Sequence, residues 1–246
     1  MISMELAEKV FINGTILTQD DVHSQVSQMA TQGKCVLAVG DDLSHLSNAD
    51  TETIDLAGAV VVPGFVDAHV HFLWGGETLL SIPGHQAQSK ADFIDIVRRF
   101  ARDRRPGTWL KGGGWNEHHH LDQSIPHKSW LDEAAPGHPM ILTRHDGHSG
   151  IASSAALALA GITRDTPDPE AGVIDHDEEG ELTGMLRESA MGLVMDLMPE
   201  ESDAELLVNL ETSQDYLLAR GVTSVGDMMY DMNHFRFLQE MAKQGR

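Results

Sequence analysis

The segment Val60-Val61-Val62-Pro63-Gly64-Phe65-Val66-Asp67-Ala68-His69-Val70-His71-Phe72 constrains this chain more than any other. An extended strand sends successive side chains to opposite faces. Val66, Ala68 and Val70 therefore share one face, and Asp67, His69 and His71 the other. The apolar face suits helices packed outside a sheet, and the polar face suits a cavity. A barrel strand whose C-terminal end carries a site reads in this way.

Two histidines two residues apart on a strand have Cα atoms about 6.6 Å apart. A Zn–N bond is only about 2.0–2.1 Å long, so both imidazoles can reach one ion. Imidazole also suits iron, nickel and copper, so the spacing does not name the metal. The spacing alone is weak: with 14 histidines in the chain, about one such pair arises by chance. His118 and His120 form a second pair, in a Gly-rich, polar context that reads as a solvated loop. The strand setting, the Pro-Gly turn and Asp67 on the same face single out His69 and His71 as metal ligands. Asp67 either orients a ligand histidine or is a buried carboxylate satisfied by backbone donors.

Upstream, residues 1–62 read as all-β. Val10 to Thr18 is a strand-like run with a turn at Asn13-Gly14, and Cys35 to Gly40 and Thr51 to Val62 are further short apolar runs. Downstream, Ser89 caps a helix expected over residues 90–105, with Asp92 at its third position. Short strands are expected at 109–113 and 140–143, a helix at 153–160 and a hairpin at 172–183. A helix is expected at 184–198. Ser202 and Glu205 form a capping box for a helix ending before Gly221. A strand at 221–227 and a helix at 232–243 follow. Strand, helix and strand at this spacing indicate α/β architecture.

Val61 to His71 resembles the signature of the amidohydrolase superfamily. Gly112-Gly113-Gly114-Trp115-Asn116-Glu117, Asp146-Gly147-His148, Ala155-Ala156-Leu157, and Gly180-Glu181-Leu182-Thr183-Gly184 with Glu188 follow in order, as does Gly221-Val222-Thr223-Ser224-Val225. Together they resemble amidohydrolase family 3, which includes N-substituted formamide deformylases. The resemblance implies an α/β fold: part of a metal-dependent hydrolase (β/α)8 TIM barrel with an N-terminal half β-sandwich and an α+β insert. The implied organisation is 1–62 for the sandwich part, 63–80 for the first barrel strand with the metal motif, 81–200 for the insert, and 201–246 for a second barrel helix and strand.

The implied chemistry is attack of metal-activated water on a carbonyl carbon, cleaving a carbon–nitrogen bond other than a peptide bond in an amide, formamide or cyclic amide. Alternatives are a deaminase or cyclic-imide hydrolase of the same superfamily, or a truncated, non-catalytic chain. The expected cofactor is one or two divalent ions, zinc first. The family's further ligands (a lysine, two histidines and an aspartate) match no position here, and the general base is expected beyond Arg246. His148 is a candidate substrate-binding residue or a structural hydrogen-bonding group. Trp115 is a candidate pocket wall or a core residue. Relatives carry an asparagine where this chain has Ser153-Ser154, which puts that helix start in question.

The net charge of −21 disfavours a phosphate backbone as partner, so nucleic acid is not expected. No apolar run reaches about 18 residues, so no membrane span is expected. No secretory signal is evident at the N-terminus, and a single cysteine, Cys35, gives no disulfide framework. A cytoplasmic location and a small-molecule amide partner are expected, with homo-oligomerisation left open. With only two barrel-type strands and two ligands, the 246-residue chain alone is expected to aggregate or fold partly, without turnover.

Overall fold

Neighbouring residues in the central strands serve opposite cores, and this organises the larger part of the chain. The computed structural model describes residues 5–118, 123–229 and 231–246. The chain divides into two compact units: residues 1–67 with 218–225, and residues 68–217 with 226–246.

The first unit holds β1 (Lys9–Ile12), β2 (Thr15–Leu17), β3 (Gln25–Val26), β4 (Gln28–Gln32), β5 (Cys35–Gly40), β6 (Glu52–Asp55) and β7 (Val60–Val61). A four-stranded sheet runs β5-β4-β1-β6, and a three-stranded sheet runs β3-β2-β7. Asn13, at a φ of 56°, turns the chain between β1 and β2. The turn sends the two strands into different sheets, and the polar run that forms β3 and β4 carries no strand signal in the sequence. Ala7, Val10, Ala30, Leu43 and Leu46 form the small core.

The extended segment from Val60 is broken at Pro63-Gly64. Val60–Val61 pairs with β2, and β8 (Phe65–Val70) begins beyond the break. Helix α1 (Phe72–Leu79), which the sequence did not announce, follows at once.

The insert then runs through β9 (Ile82–Pro83), α2 (Lys90–Ala101), β10 (Leu110–Trp115), α3 (Lys128–Ala134), β11 (Met140–Arg144), β12 (Ser149–Ala152), α4 (Ser154–Leu159), β13 (Gly172–His176), β14 (Leu182–Glu188) and α5 (Gly192–Met195). Its mixed sheet has the order β13-β14-β12-β11-β10-β9. Leu142, Ile151 and Met185 join α2 and α3 in one core. Their neighbours Ile141, Ala152 and Leu186 join residues of α4 and α5 in the other. The period of two in each strand thus buries both sheet faces. Ser153 caps α4 by accepting from Ala156 N–H, and its hydroxyl donates to the His138 carbonyl at 2.9 Å. The helix start is fully served by serine.

The helix expected at 184–198 forms only in part. Residues up to Glu188 extend β14, paired on both sides by β12 and β13, and beyond it a 3-10 turn over Ser189–Met191 runs into α5. Gly184 has a φ of +93° and a virtual Cβ 2.6 Å from the Ala152 carbonyl oxygen, a strand-side approach only glycine permits.

Helix α6 (Asp203–Leu218) starts at the expected capping box: Ser202 N–H donates to Glu205 Oε2 at 2.8 Å, and Glu205 N–H to Ser202 Oγ at 3.3 Å. Strand β15 (Val222–Asp227) pairs with β8 in a two-stranded sheet, and α7 (Met232–Lys243) follows. Of the expected partial (β/α)8 barrel, the described residues hold one strand pair, and a two-stranded sheet is not a barrel. Its expected apolar face is open, with Val66 70% exposed. The helices pack on one another instead: Leu73 of α1, Leu206 and Leu210 of α6, and Phe237 of α7 form one cluster.

Helix α1 lies so close to α6 that a Cβ on Gly76 would sit 2.0 Å from the Asn209 carbonyl oxygen. Gly76→Ala is therefore expected to destabilise the protein by about 1–3 kcal/mol, as overpacking does. Urea melts of the two proteins, compared at equal m-value, check this.

Candidate metal and substrate site

A cavity of about 1210 Å³ in the second unit has His69, His71, Trp74 and Lys111 among its lining residues. The end of β8 delivers both histidines to it. Their ring centroids are 5.9 Å apart, with planes at 90°. His71 Nδ1 lies 3.1 Å from the Met228 carbonyl oxygen. A carbonyl oxygen only accepts, so this contact places the proton on Nδ1 and makes Nε2 the acceptor nitrogen of the ring. Trp74, one helical turn on, packs against the same ring at 5.3 Å.

The neighbouring strand end holds this geometry. Met228 N–H donates to the Val70 carbonyl at 2.8 Å. Phe72 N–H donates to Asp227 Oδ1 at 3.0 Å. Asp227 is thus not a cavity residue; its carboxylate satisfies a free N–H at the positive end of α1.

The donor set fits a divalent ion in part. Two imidazoles face one cavity with one of them correctly oriented, but among the described residues no group of three or more His, Cys, Asp or Glu is placed to hold a metal. Asp67 is half-buried in β8.

The other expected site residues fall elsewhere. Trp115 does not line the cavity: it is 1% exposed in the insert core, and its Nε1–H donates to the Leu142 carbonyl at 3.0 Å. A register shift in β10 between Gly113 and Trp115 breaks the alternation, so Trp115 turns into the same core as Leu110, five residues before it, and the pocket-wall assignment is corrected accordingly. His148 is solvent-exposed and outside the cavity lining, although His145, Asp146 and Gly147 of the same turn belong to it. Its Nδ1 meets Glu188 Oε2 at 3.1 Å, and that hydrogen bond, with the carboxylate charge, raises the imidazole pKa. His118 is an exposed neighbour of Glu117, and His119 and His120 lie outside the described residues.

The sequence did not reveal the charged wall of the cavity. Lys111 is held by Glu77 and lies 3.6 Å from Glu201, and Glu201 also accepts from Asn209 at 2.8 Å. Arg144 grips Glu117 through two bonds of 2.9 Å and also binds Asp146. The guanidinium holds the Glu117 carboxyl below the usual range. Lys111 and Arg144 take Glu77, Glu201 and Glu117 from distant parts of the sequence, the Arg144–Glu117 pair being 27 residues apart, and no local pattern announces these pairs. A period-two reading of β10 would have separated Lys111 from Leu110.

The family's sequence profile matches residues 52–246. The chain belongs to the amidohydrolase family. It is 36% identical over 225 residues to Protein LONG AFTER FAR-RED 3 of Arabidopsis thaliana, covering 91% of this chain and 38% of that protein. It is 33% identical over 234 residues to the N-substituted formamide deformylase of Arthrobacter pascens, covering 92% and 43%. The crystal structure of an uncharacterised metal-dependent hydrolase from Pyrococcus furiosus matches with a TM-score of 0.72 at 28% identity, over 97% of this chain and 48% of that one. The amidohydrolase chain therefore spans less than half the length of each. No described helix is long and apolar enough to cross a membrane.

The His148–Glu188 pair has a direct consequence. Its contribution to stability is full below the ordinary histidine pKa of about 6.5 and is lost as pH rises through the raised folded value. His148 is expected to titrate above about 6.5 by NMR. Glu188→Gln should move its midpoint down; an unmoved midpoint would show that the pair does not form in solution.

Proposed function

We propose that this amidohydrolase acts as a metal-dependent hydrolase on a carbon–nitrogen bond other than a peptide bond, in a small amide, formamide or cyclic amide. One observation carries the reading: the His69 and His71 rings, 5.9 Å apart, line one cavity, with His71 oriented through its Nδ1 by the Met228 carbonyl. Family membership and the metal-dependent hydrolase named among similar structures support it. His69 and His71 would hold a divalent ion, zinc being the first expectation. When bound, such an ion polarises a carbonyl and supplies hydroxide near neutral pH.

This chain's residues contribute orientation. Met228 fixes the His71 tautomer, Asp227 anchors the first turn of α1 directly after it, and Trp74 walls its ring. In the proposed assembly, β8 and β15 serve as two strands of a (β/α)8 barrel. His148 is kept as a substrate-contact candidate from the cavity rim, in its Glu188-bound form. A second reading, metal or ligand binding without turnover, is favoured by one observation: two imidazoles fall short of the three protein ligands usual for catalytic zinc.

His69→Ala and His71→Ala are expected to lower bound divalent metal, read by elemental analysis of the purified protein, and to abolish amide hydrolysis with an unchanged far-UV spectrum. Metal content equal to the parent in both variants would remove these residues from the metal site. Loss of metal without any parent hydrolysis would favour the second reading.

A further inference from the structure

The charge of the cavity narrows the substrate, given the hydrolase reading on which this step rests. Two permanently basic side chains, Lys111 and Arg144, line the cavity against five acidic ones. Both bases are already engaged. Glu77 and Glu201 flank Lys111, and Glu117 and Asp146 occupy Arg144. Glu200 is exposed and has no ion-pair partner among the described residues, and Asp231 caps α7 through the Asn233 N–H. A divalent ion between His69 and His71 would offset only two of the three excess negative charges. The chain's −21 net charge adds to the field in the same sense.

The lining is also apolar beside the histidines. Trp74 is 54% exposed against the His71 ring. Leu79, Met195 and Tyr216 present further exposed apolar surface to the same cavity. Apart from the proposed ion, both permanent cations among the described lining residues are already paired, so a substrate carboxylate would face an excess of carboxylates. At an effective dielectric near 20, one such charge about 10 Å away is worth roughly tenfold in affinity.

From this we infer that the substrate is an uncharged or cationic amide whose apolar substituent lies against Trp74, and that anionic amides such as N-acyl amino acids are rejected. The Trp74 ring supplies apolar area and, for a cationic substituent, an attractive face. Glu200 and Glu201 supply the discrimination against anions.

Three probes of one shape test this: N-benzylacetamide, its 4-aminomethyl derivative and its 4-carboxylate. They are compared at pH 8, where histidine is ordinarily neutral, on the metal-loaded protein. Binding is read as quenching of the Trp74 emission, isolated by subtraction of Trp74→Phe, and hydrolysis as kcat and KM. The neutral and cationic probes are expected to bind about tenfold or more tighter than the anionic one. The double variant Glu200→Gln/Glu201→Gln should narrow that gap, and added salt should narrow it too. Trp74→Ala should raise KM for all three with metal content unchanged, and Trp74→Phe should restore most of the loss. An anionic probe bound as well as the neutral one would overturn the inference. If no probe is hydrolysed by metal-loaded protein, the hydrolase reading fails, while the binding order still decides the charge class.

Discussion

The junction between the ends of β8 and β15 is the contact on which the site depends. Three bonds tie it: Met228 N–H to Val70 O, Phe72 N–H to Asp227 Oδ1, and the His71 ring to Met228 O. The first fixes strand register. The second ends the strand and starts α1 by satisfying one of its unpaired N–H groups. The third turns an imidazole. A one-residue slip in this pairing would exchange cavity-facing and outward side chains together, so register and ligand geometry are a single constraint.

From that junction the cavity wall is built by pairing rather than by burial. Lys111 and Arg144 are only partly buried, and each is gripped by two carboxylates from different elements. Exposed ion pairs contribute little stability singly. Their value here is positional: Arg144 draws Glu117, after β10, and Asp146, in the turn after β11, to the ends of neighbouring parallel strands. Basic residues used in this way no longer serve as anion receptors, which is why the sign of the cavity follows from its architecture.

The sequence was legible where structure is local. The Ser202–Glu205 box, the Ser89 cap and the Asp177–Gly180 turn are short-range patterns, and each forms as expected. It misled where tertiary pairing overrides propensity. Residues 184–188 carry apolar and helix-favouring types, yet two partner strands capture them as β14. The two tryptophans show the same limit. Trp115 follows a glycine run that suggests a pocket, but the register shift within that run sends it inward. Trp74 follows the histidines in a segment with no helical cap of its own, because its cap, Asp227, is 155 residues away. The charged wall depends on contacts of the same kind and was equally unreadable. Belonging to the family was legible because it rests on motifs, whereas the substrate rests on the shape and charge that distant segments assemble.

Stability and site chemistry are carried by different residues. The closest approaches involve glycines: a Cβ on Gly226 would meet the Ala68 carbonyl oxygen at 2.7 Å, and one on Gly64 would meet Thr223 Oγ1 at 2.1 Å. Such positions hold backbone against backbone or side chain, so any added atom must push elements apart. His69 is exposed and His71 partly so, and neither belongs to a buried apolar cluster. Replacing an imidazole there removes a ring contact and the proposed ligand but opens no core cavity. Changes at the histidines therefore test the proposed metal site, while changes at the glycines report on the approach of β8 to β15. The two classes lie in and beside the same strand pair, and an experiment that mixes them would confuse loss of fold with loss of function.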